Sequence, residues 1–157
     1  MKFYCIYILI FSIFFNCSEK DINWKTERNA IIFFGSEPKE EKFILTFNRN
    51  GDSLNCRYVN HIDSSKVISI RKIKDSLFFG FEKFTNRNRK SFSSKRLNNL
   101  KFEFYNLKDP LVDGTGPILY NEEYGLLAIH NVYGPTIIFL KEKDDILIEK
   151  VMKVLND

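Results

Sequence analysis

Short apolar runs, each the length of a β-strand and bounded by turn-forming residues, constrain the fold of this chain more than any other feature. The clearest pair covers residues 42–48 and 53–59, which lie on either side of Asn50-Gly51. Asn-Gly is the strongest short-range signal for a β-hairpin, because both residues tolerate the positive φ of a tight turn. The sequence therefore predicts antiparallel pairing. Further runs of this kind cover residues 30–34, 66–73, 77–84, 100–107, 118–120, 126–130 and 136–141.

The C-terminal segment has a different periodicity. One apolar stripe is approximated by Ile146, Ile148, Val151, Val154 and Leu155, and Leu147 broadens it, as on one face of a helix. Asp144 and Asp145 precede this stripe, at the end of the helix dipole that favours acidic side chains. The pattern predicts a helix over residues 144–156. We therefore expect an α+β domain that is mainly antiparallel β, with a meander sheet folded as a sandwich or half-barrel and one C-terminal helix.

The composition fits one small globular domain. The chain has 157 residues, of which 44% are hydrophobic and 15% aromatic. This is enough apolar material for a packed core and is unlike the composition of a disordered chain. Residues 29–157 are accordingly assigned to a single β-rich domain. The formal net charge of +4 is too small to indicate nucleic acid as a partner.

The N-terminus has the organisation of a secretory signal peptide. Lys2 provides a positive charge, residues 3–15 form a continuous apolar run, and the chain turns polar at Asn16. This run is shorter than the roughly 20 residues that a membrane-spanning helix needs. Residues 1–16 are therefore expected to be a cleaved signal peptide. An uncleaved membrane anchor is the alternative.

The end of this apolar run resembles the lipobox of bacterial lipoproteins, in which Leu, a small residue and Gly or Ala precede a cysteine. The matching residues are Phe14-Phe15-Asn16-Cys17. Each of the three residues before the cysteine is bulkier than the usual lipobox residue at that position. The resemblance implies that Cys17 is the lipidation site. Residues 21–28 are polar with one Trp, so residues 17–28 are expected to form the lipidated start and a short tether, with an edge segment that leads into the domain as the alternative for residues 21–28. An ordinary signal peptide that leaves Cys17 unmodified is the alternative.

The resemblance also implies a location, which is the bacterial cell envelope, with the protein held at a membrane by its lipid. Several acyl chains on one cysteine give firm binding, whereas a single chain binds marginally. Residues 18–21, Ser-Glu-Lys-Asp, resemble the charged signal that sends some lipoproteins to the cell surface. The outer membrane or the cell surface is therefore the favoured location.

The cysteine count is consistent with this interpretation. Cys5 would leave with the signal peptide and Cys17 would carry lipid, so Cys56 would be the one thiol left. No intrachain disulfide is then possible in the lipidated protein. Cys56 lies in an alternating stretch, and we expect it to point inward as a small hydrophobic residue.

No catalytic motif is present in the sequence. The spacings of zinc sites, of the GxSxG nucleophile and of phosphate-binding loops do not occur, and we expect neither a metal nor another cofactor and assign no catalytic residue. The mature chain has two histidines, His61 and His130, and both are weak candidates for a catalytic role. His130, at a predicted strand end, is the better of the two. Asp113, within Asp113-Gly114-Thr115-Gly116, and Tyr120 are the residues that could join it in a dispersed site.

Residues 85–99 are polar and basic, and are expected to form a long loop or a short surface helix. Arg87, Arg89 and Lys90 are its candidate functional residues. In a membrane-anchored protein they could meet anionic lipid head groups or an anionic glycan. They could equally belong to a solvated loop that protects a sheet edge.

Two classes of function therefore stay open. The favoured one is a membrane-anchored lipoprotein that acts as a non-enzymatic binding or accessory module of the envelope, with another envelope protein as its partner. The alternative is a small envelope hydrolase with a dispersed site near His130. The sequence leaves open whether the protein is an enzyme, and favours the first class.

Overall fold

Eleven antiparallel strands form one sheet in the computed structural model, which describes residues 22–34, 37–86, 89–109 and 114–156. A 3₁₀ turn and one α-helix complete the described structure. The strands are β1 (Ile22–Phe33), β2 (Pro38–Asn50), β3 (Ser53–Asn60), β4 (Val67–Ile73), β5 (Ser76–Phe79), β6 (Glu82–Thr85), β7 (Ser91–Ser93), β8 (Lys101–Leu107), β9 (Thr115–Asn121), β10 (Gly125–Asn131) and β11 (Thr136–Leu140). The 3₁₀ turn is Lys95–Leu97 and the helix, α1, is Asp145–Asn156.

Ten of these strands close into a barrel. The sheet runs in the order β6-β5-β4-β3-β2-β1-β11-β10-β9-β8, and β6 also pairs with β8. The closing contact joins Phe84 to Leu107 and Thr85 to Asn106, while β7 pairs with the first half of β8. The mainly antiparallel class and the meander are as expected, but the sheet closes completely, which goes beyond a sandwich or half-barrel.

The hairpin expected around Asn50-Gly51 is present. Asn50 pairs with Ser53, so the two turn residues are Gly51 and Asp52. Gly51 has a φ of +51°, which a residue without Cβ adopts at little cost. The following strands alternate as the sequence indicates, with Leu54, Cys56 and Tyr58 buried in the barrel.

Residues 22–28 correct the expectation of a tether, because they form the first half of β1. They pair with β2 from Ile22 opposite Arg49 to Arg28 opposite Phe43. Trp24 stacks on Phe47 with ring centroids 4.9 Å apart, and Arg28 is buried with its guanidinium donating to the Tyr124 carbonyl at 3.2 Å. The sequence of this segment does not show the alternation of a half-buried strand, because Arg28 occupies an inward position that an apolar residue usually holds.

Two further segments differ from the sequence expectation. Residues 77–84, expected as one strand, form β5 and β6 with a tight turn at Gly80-Phe81. The turn is possible because Gly80 has a φ of +60°. The basic segment 85–99, expected as a loop or a surface helix, contains the short strand β7 and the 3₁₀ turn.

Side chains fill the barrel interior. Aromatic residues dominate it, and the largest fully buried ones are Tyr58, Phe84, Tyr105, Tyr120 and Phe139. The remaining buried members of this inner core are small or aliphatic side chains with Phe43 and Phe47. They are Ala30, Leu45, Leu54, Cys56, Ile70, Leu77, Ile118, Leu126 and Ile129.

The expected C-terminal helix is present and packs on the outer face of the sheet. Its buried stripe consists of Leu147, Ile148, Val151 and Leu155. Of the residues expected in the stripe, Ile146 is instead exposed and Val154 is only partly buried. These side chains form a second core with outward-facing residues of β1, β8, β9, β10 and β11, which include Ile31, Phe104, Leu119, Ala128 and Ile138. Burial of each large apolar side chain stabilises this packing by about 1.5–3 kcal/mol.

Candidate functional site

The two ends of the barrel have different surfaces. The proximal end is the one where β1 begins, and it includes the turns at residues 51–52, 74–75 and 122–124. The distal end is the one where β1 stops, and it includes the connections at residues 34–37, 61–66, 80–81 and 132–135. This division matters because large exposed apolar side chains concentrate at one end.

Each distal connection named above carries at least one large, exposed apolar side chain. Phe81 is fully exposed, and Ile62, Tyr133 and Phe34 are 95%, 71% and 69% exposed. Val132 is exposed beside Tyr133. Among the described residues, the proximal turns at 51–52, 74–75 and 122–124 carry no such side chain. We call Phe34, Ile62, Phe81, Val132 and Tyr133 the apolar rim.

The rim lies at the distal end of the barrel, where a second group of apolar side chains, called the floor, also lies. Its side chains pack on the inner core and remain partly exposed. The rim and the floor thus lie at one end of the barrel, while Ile44, Val67 and Ile146 are the further large apolar side chains exposed among the described residues. Such a concentration of apolar side chains at one end marks an interaction site more often than a single exposed side chain does. The floor consists of Ile32, Ile68, Phe79, Leu107 and Ile137.

Local hydrogen bonds hold the loop that carries Ile62. The Asn60 side-chain oxygen accepts the backbone N–H groups of Ile62 and Asp63, both at 2.9 Å. Asp63 in turn accepts the backbone N–H of Ser65 at 3.0 Å. These bonds satisfy the backbone inside a tight loop, so the apolar Ile62 side chain is left pointing into solvent.

The β10–β11 connection is held in a similar way. His130 Nδ1 lies 2.9 Å from Thr136 Oγ1, across the base of the loop. A Cβ on residue 134 would lie 2.5 Å from Asn131 Nδ2, so any residue other than glycine would displace the Asn131 side chain. His130 thus contacts Thr136 across the base of the loop that carries Val132 and Tyr133.

His130 and Tyr120, the two described candidates of the dispersed site, do not come together. Tyr120 is buried in the barrel with its hydroxyl 3.7 Å from Cys56 Sγ, and it pairs with Leu126. His130 lies four residues farther along β10, which corresponds to about 13 Å. Asp113 lies outside the described residues. The sequence prediction that grouped these residues is therefore not supported for His130 and Tyr120.

Burial keeps the interior hydroxyl and thiol groups protonated. It raises the pKa of the Cys56 thiol to about 11, and it raises the pKa of the Tyr58 and Tyr120 hydroxyls well above the ordinary range. A thiol acts as a nucleophile in its ionised form. At neutral pH Cys56 is therefore a packing residue, as its place in the alternating stretch indicates.

The basic segment lies at the proximal end and makes contacts within the domain. Lys90 Nζ lies 4.8 Å from the centre of the Phe104 ring, and Arg96 pairs with Asp144 at 2.7 Å. Arg89 is exposed and lines a concavity of about 410 Å³ with Asp75 and other polar residues. Arg87 lies outside the described residues, as does Cys17.

A second polar concavity lies close by at the proximal end. Glu122 pairs with Lys72 at 2.6 Å and with Arg49 at 3.3 Å, and the Tyr105 hydroxyl donates to Glu103 at 2.7 Å. The charges here have partners within the chain. Exposed ion pairs of this kind each contribute about 0–1 kcal/mol.

Within the described ranges, no group of three or more His, Cys, Asp or Glu side chains is arranged to hold a metal ion.

No helix in the part of the chain that the structure describes is long and apolar enough to cross a membrane.

Comparison with known proteins gives no relative from which a function could be taken. No family model matches the chain, and no curated protein and no solved structure matches it significantly.

The rim residues are the functional candidates that sequence reasoning missed. Each is a large apolar residue inside a turn-forming stretch, as in Gly80-Phe81 and in Asn131-Val132-Tyr133-Gly134. When strands are predicted from apolar periodicity, such residues look like the last residues of a strand. The usable signal was direct adjacency to glycine or asparagine for Phe34, Phe81, Val132 and Tyr133, whereas Ile62 lies between His61 and Asp63.

Proposed function

We propose that this protein is a lipoprotein of the bacterial envelope that is anchored through acyl chains on Cys17 and acts as a non-enzymatic binding module. The observation that carries the binding function is the apolar rim with its apolar floor at the distal end. Large apolar side chains are unfavourable when they are exposed to water. Several of them lie on tight loops of this protein, so a partner that covers them would remove this cost.

The position of the anchor supports this function. β1 begins at Ile22, five residues after Cys17, so a lipid on Cys17 joins the protein to the membrane at the proximal end. The rim lies at the other end of β1 and stays available to a partner. We place the protein at the outer membrane or the cell surface, in accordance with the charged residues 18–21.

Neither alternative has comparable support. A hydrolase would need its candidate groups to converge, whereas His130 contacts Thr136 and Tyr120 is buried. Recognition of anionic lipid or glycan by Arg87, Arg89 and Lys90 has less support, because Lys90 lies over the Phe104 ring and Arg87 lies outside the described residues. The nearby Arg96–Asp144 pair favours a structural use of this segment.

The anchor is tested by labelling cells with a clickable fatty acid and comparing the full-length protein with two variants. We expect label on the wild type and on Cys56→Ser, which controls for the loss of a cysteine, and none on Cys17→Ser. Equal label on Cys17→Ser and the wild type would contradict the anchor.

A further inference from the structure

We infer that the outer wall of the barrel opposite α1 is a second binding surface, which takes a linear anionic polysaccharide across strands β1 to β6. This surface is separate from the apolar rim and from the basic segment 85–99. The inference goes beyond the proposed function, and it depends neither on the rim nor on a lipid at Cys17.

The helix leaves one half of the barrel wall uncovered. α1 packs on outward-facing side chains of β1 and of β8–β11, and this second core contains no described residue of β2–β6. Directly paired residues of neighbouring strands have their side chains on the same face of the sheet. In the uncovered half, strand register therefore places outward-facing side chains side by side in two adjacent rows. The first row runs from β1 to β6 through Asn23, Asn48, Asn55, Arg71, Phe78 and Lys83.

The second row runs from β1 to β4 through Lys25, Thr46, Arg57 and Ser69. We call these two rows the basic wall, because they contain four cations and no acidic residue. The cations are Lys25, Arg57, Arg71 and Lys83, and all four are exposed. None of them forms an ion pair with a carboxylate in the part of the chain that the structure describes. Their charge is therefore available to an anionic ligand.

The acidic residues of β1–β6 all lie outside the basic wall. Glu27 and Glu40 face outward but lie nearer the distal end, and Glu40 pairs with Lys143. Glu41 pairs with two lysines at the distal end, and Glu82 lies opposite Phe79 of the floor. At the proximal border, the turns carry Asp52 and Asp75.

Two further lysines border the basic wall. Lys42 faces outward nearer the distal end of β2, opposite Asn29. Lys108 lies next to Lys83, whose carbonyl accepts the Lys108 N–H at 2.9 Å, and it has further interactions within the chain. The uncovered half of the barrel therefore has an excess of positive charge, even when Glu27 and Glu40 are counted.

A concavity in the middle of the basic wall suits a single anionic group. Its volume is about 340 Å³, and its lining includes Asn55, Arg57, Ser69, Arg71 and Phe78. The Arg71 guanidinium lies over the Phe78 ring, 5.1 Å from its centre. Guanidinium groups bind carboxylate, sulfate and phosphate through paired hydrogen bonds. The amide and the hydroxyl beside them suit the neighbouring hydroxyl groups of a sugar.

The distribution of the four cations favours a linear polymer over a membrane surface. They lie on β1, β3, β4 and β6, so they extend over five strand spacings, about 24 Å. The outer wall of a closed barrel is convex, and a flat bilayer touches such a wall along a narrow line. A flexible chain follows the curve and reaches all four charges.

The neutral residues of the basic wall favour a polysaccharide over a protein or a nucleic acid. Protein interfaces have an apolar and often aromatic centre, whereas the exposed Ile44 and Val67 lie outside the two rows. Single-stranded nucleic acid stacks its bases on aromatic rings, but Phe78 is partly buried beneath Arg71. The other neutral side chains are amides and hydroxyls, which hydrogen-bond to sugar hydroxyls. They are Asn23, Thr46, Asn48, Asn55 and Ser69.

The test measures binding of the full-length protein, in a non-ionic detergent, to alginate, which is a linear polymer of uronic acids. Neutral dextran, poly-L-glutamate, single-stranded DNA and micelles that contain phosphatidylglycerol are the comparison ligands. We expect saturable binding to alginate that weakens as the salt concentration rises. We expect weaker binding to each comparison ligand at the same salt concentration.

Paired charge removal locates the binding surface. We expect Arg57→Gln with Arg71→Gln to weaken alginate binding about tenfold or more. Lys150→Gln with Lys153→Gln removes the same charge from the exposed side of α1 and is expected to leave the affinity within about twofold of the wild type. The urea unfolding midpoint of each variant shows whether the fold is retained.

Several results would overturn the proposal. They are absence of alginate binding, equal affinity of the two double variants, and tighter binding to any comparison ligand. Tighter binding to DNA, to poly-L-glutamate or to the micelles would assign the basic wall to a nucleic acid, an acidic protein or a membrane. Cys17→Ser is expected to bind alginate as the wild type does, so failure of the anchor and failure of this proposal give different results.

Discussion

Single side chains inside the barrel are selected for packing, even where they carry a polar atom. Cys56, Tyr58 and Tyr120 point inward and are buried. The Tyr58 hydroxyl accepts the Leu126 N–H at 2.7 Å, and Cys56 lies beside Tyr120. Because their neutral forms suit this interior, deprotonation of these groups favours the unfolded chain.

Cys56 therefore makes stability fall at alkaline pH. Its pKa is raised from 9.0 to about 11 in the folded protein, so the unfolded chain loses the thiol proton first. The contribution is fully present below pH 9 and is lost as the pH rises toward 11. At pH 10.5 this loss amounts to about 2 kcal/mol.

Urea unfolding at pH 8 and pH 10.5 checks this value. Between the two pH values, we expect the free energy of unfolding of Cys56→Ala to fall by about 2 kcal/mol less than that of the wild type. Each protein is compared with its own value at pH 8, which removes the cost of the cavity left by the substitution. The buried tyrosines titrate in both proteins and cancel in the comparison. An equal loss in both proteins would be evidence against a protonated, buried thiol.

At the level of secondary structure, α1 depends on the residue that precedes it. The Asp144 side chain accepts the Leu147 N–H at 3.0 Å, which satisfies one of the free donors in the first turn. Asp144 also pairs with Arg96 of the basic segment. One carboxylate thus caps the helix and fixes the segment beside the sheet.

Asp144→Ala is expected to lower the free energy of unfolding by about 1 kcal/mol, because it removes the cap. The ion pair with Arg96 is exposed and adds little. Glu142→Ala, two residues earlier, is the matched control and is expected to leave stability unchanged. Thermal and urea unfolding would measure both variants, and equal stability of the two would contradict the capping role.

Local elements of this protein are readable from the sequence, because they depend on near neighbours. The hairpin at Asn50-Gly51 and the C-terminal helix follow from turn chemistry and periodicity, although the predicted stripe included Ile146, which is exposed. The division of 77–84 into two strands was missed, since it depends on one glycine with a positive φ. Residues 22–28 were missed because Arg28 is buried in an inward position.

For the molecule as a whole, barrel closure and the location of the rim depend on long-range pairing that periodicity does not encode. Closure depends on the pairing of Phe84 with Leu107 and of Thr85 with Asn106, far apart in the chain. The rim exists because four connections distant in sequence meet at one end. The strand order places His130 at the base of a distal connection, a location that local sequence patterns do not encode.

The central claim is that the proximal end faces the anchoring membrane and the rim faces away from it. The most direct test places a fluorophore at Asp52→Cys or Phe81→Cys, in a Cys56→Ala background, on the acylated protein in vesicles whose lipid head groups carry a nitroxide quencher. The account predicts strong quenching at position 52 and little at position 81. Equal quenching at both positions, stronger quenching at position 81, or no quenching at either would contradict it.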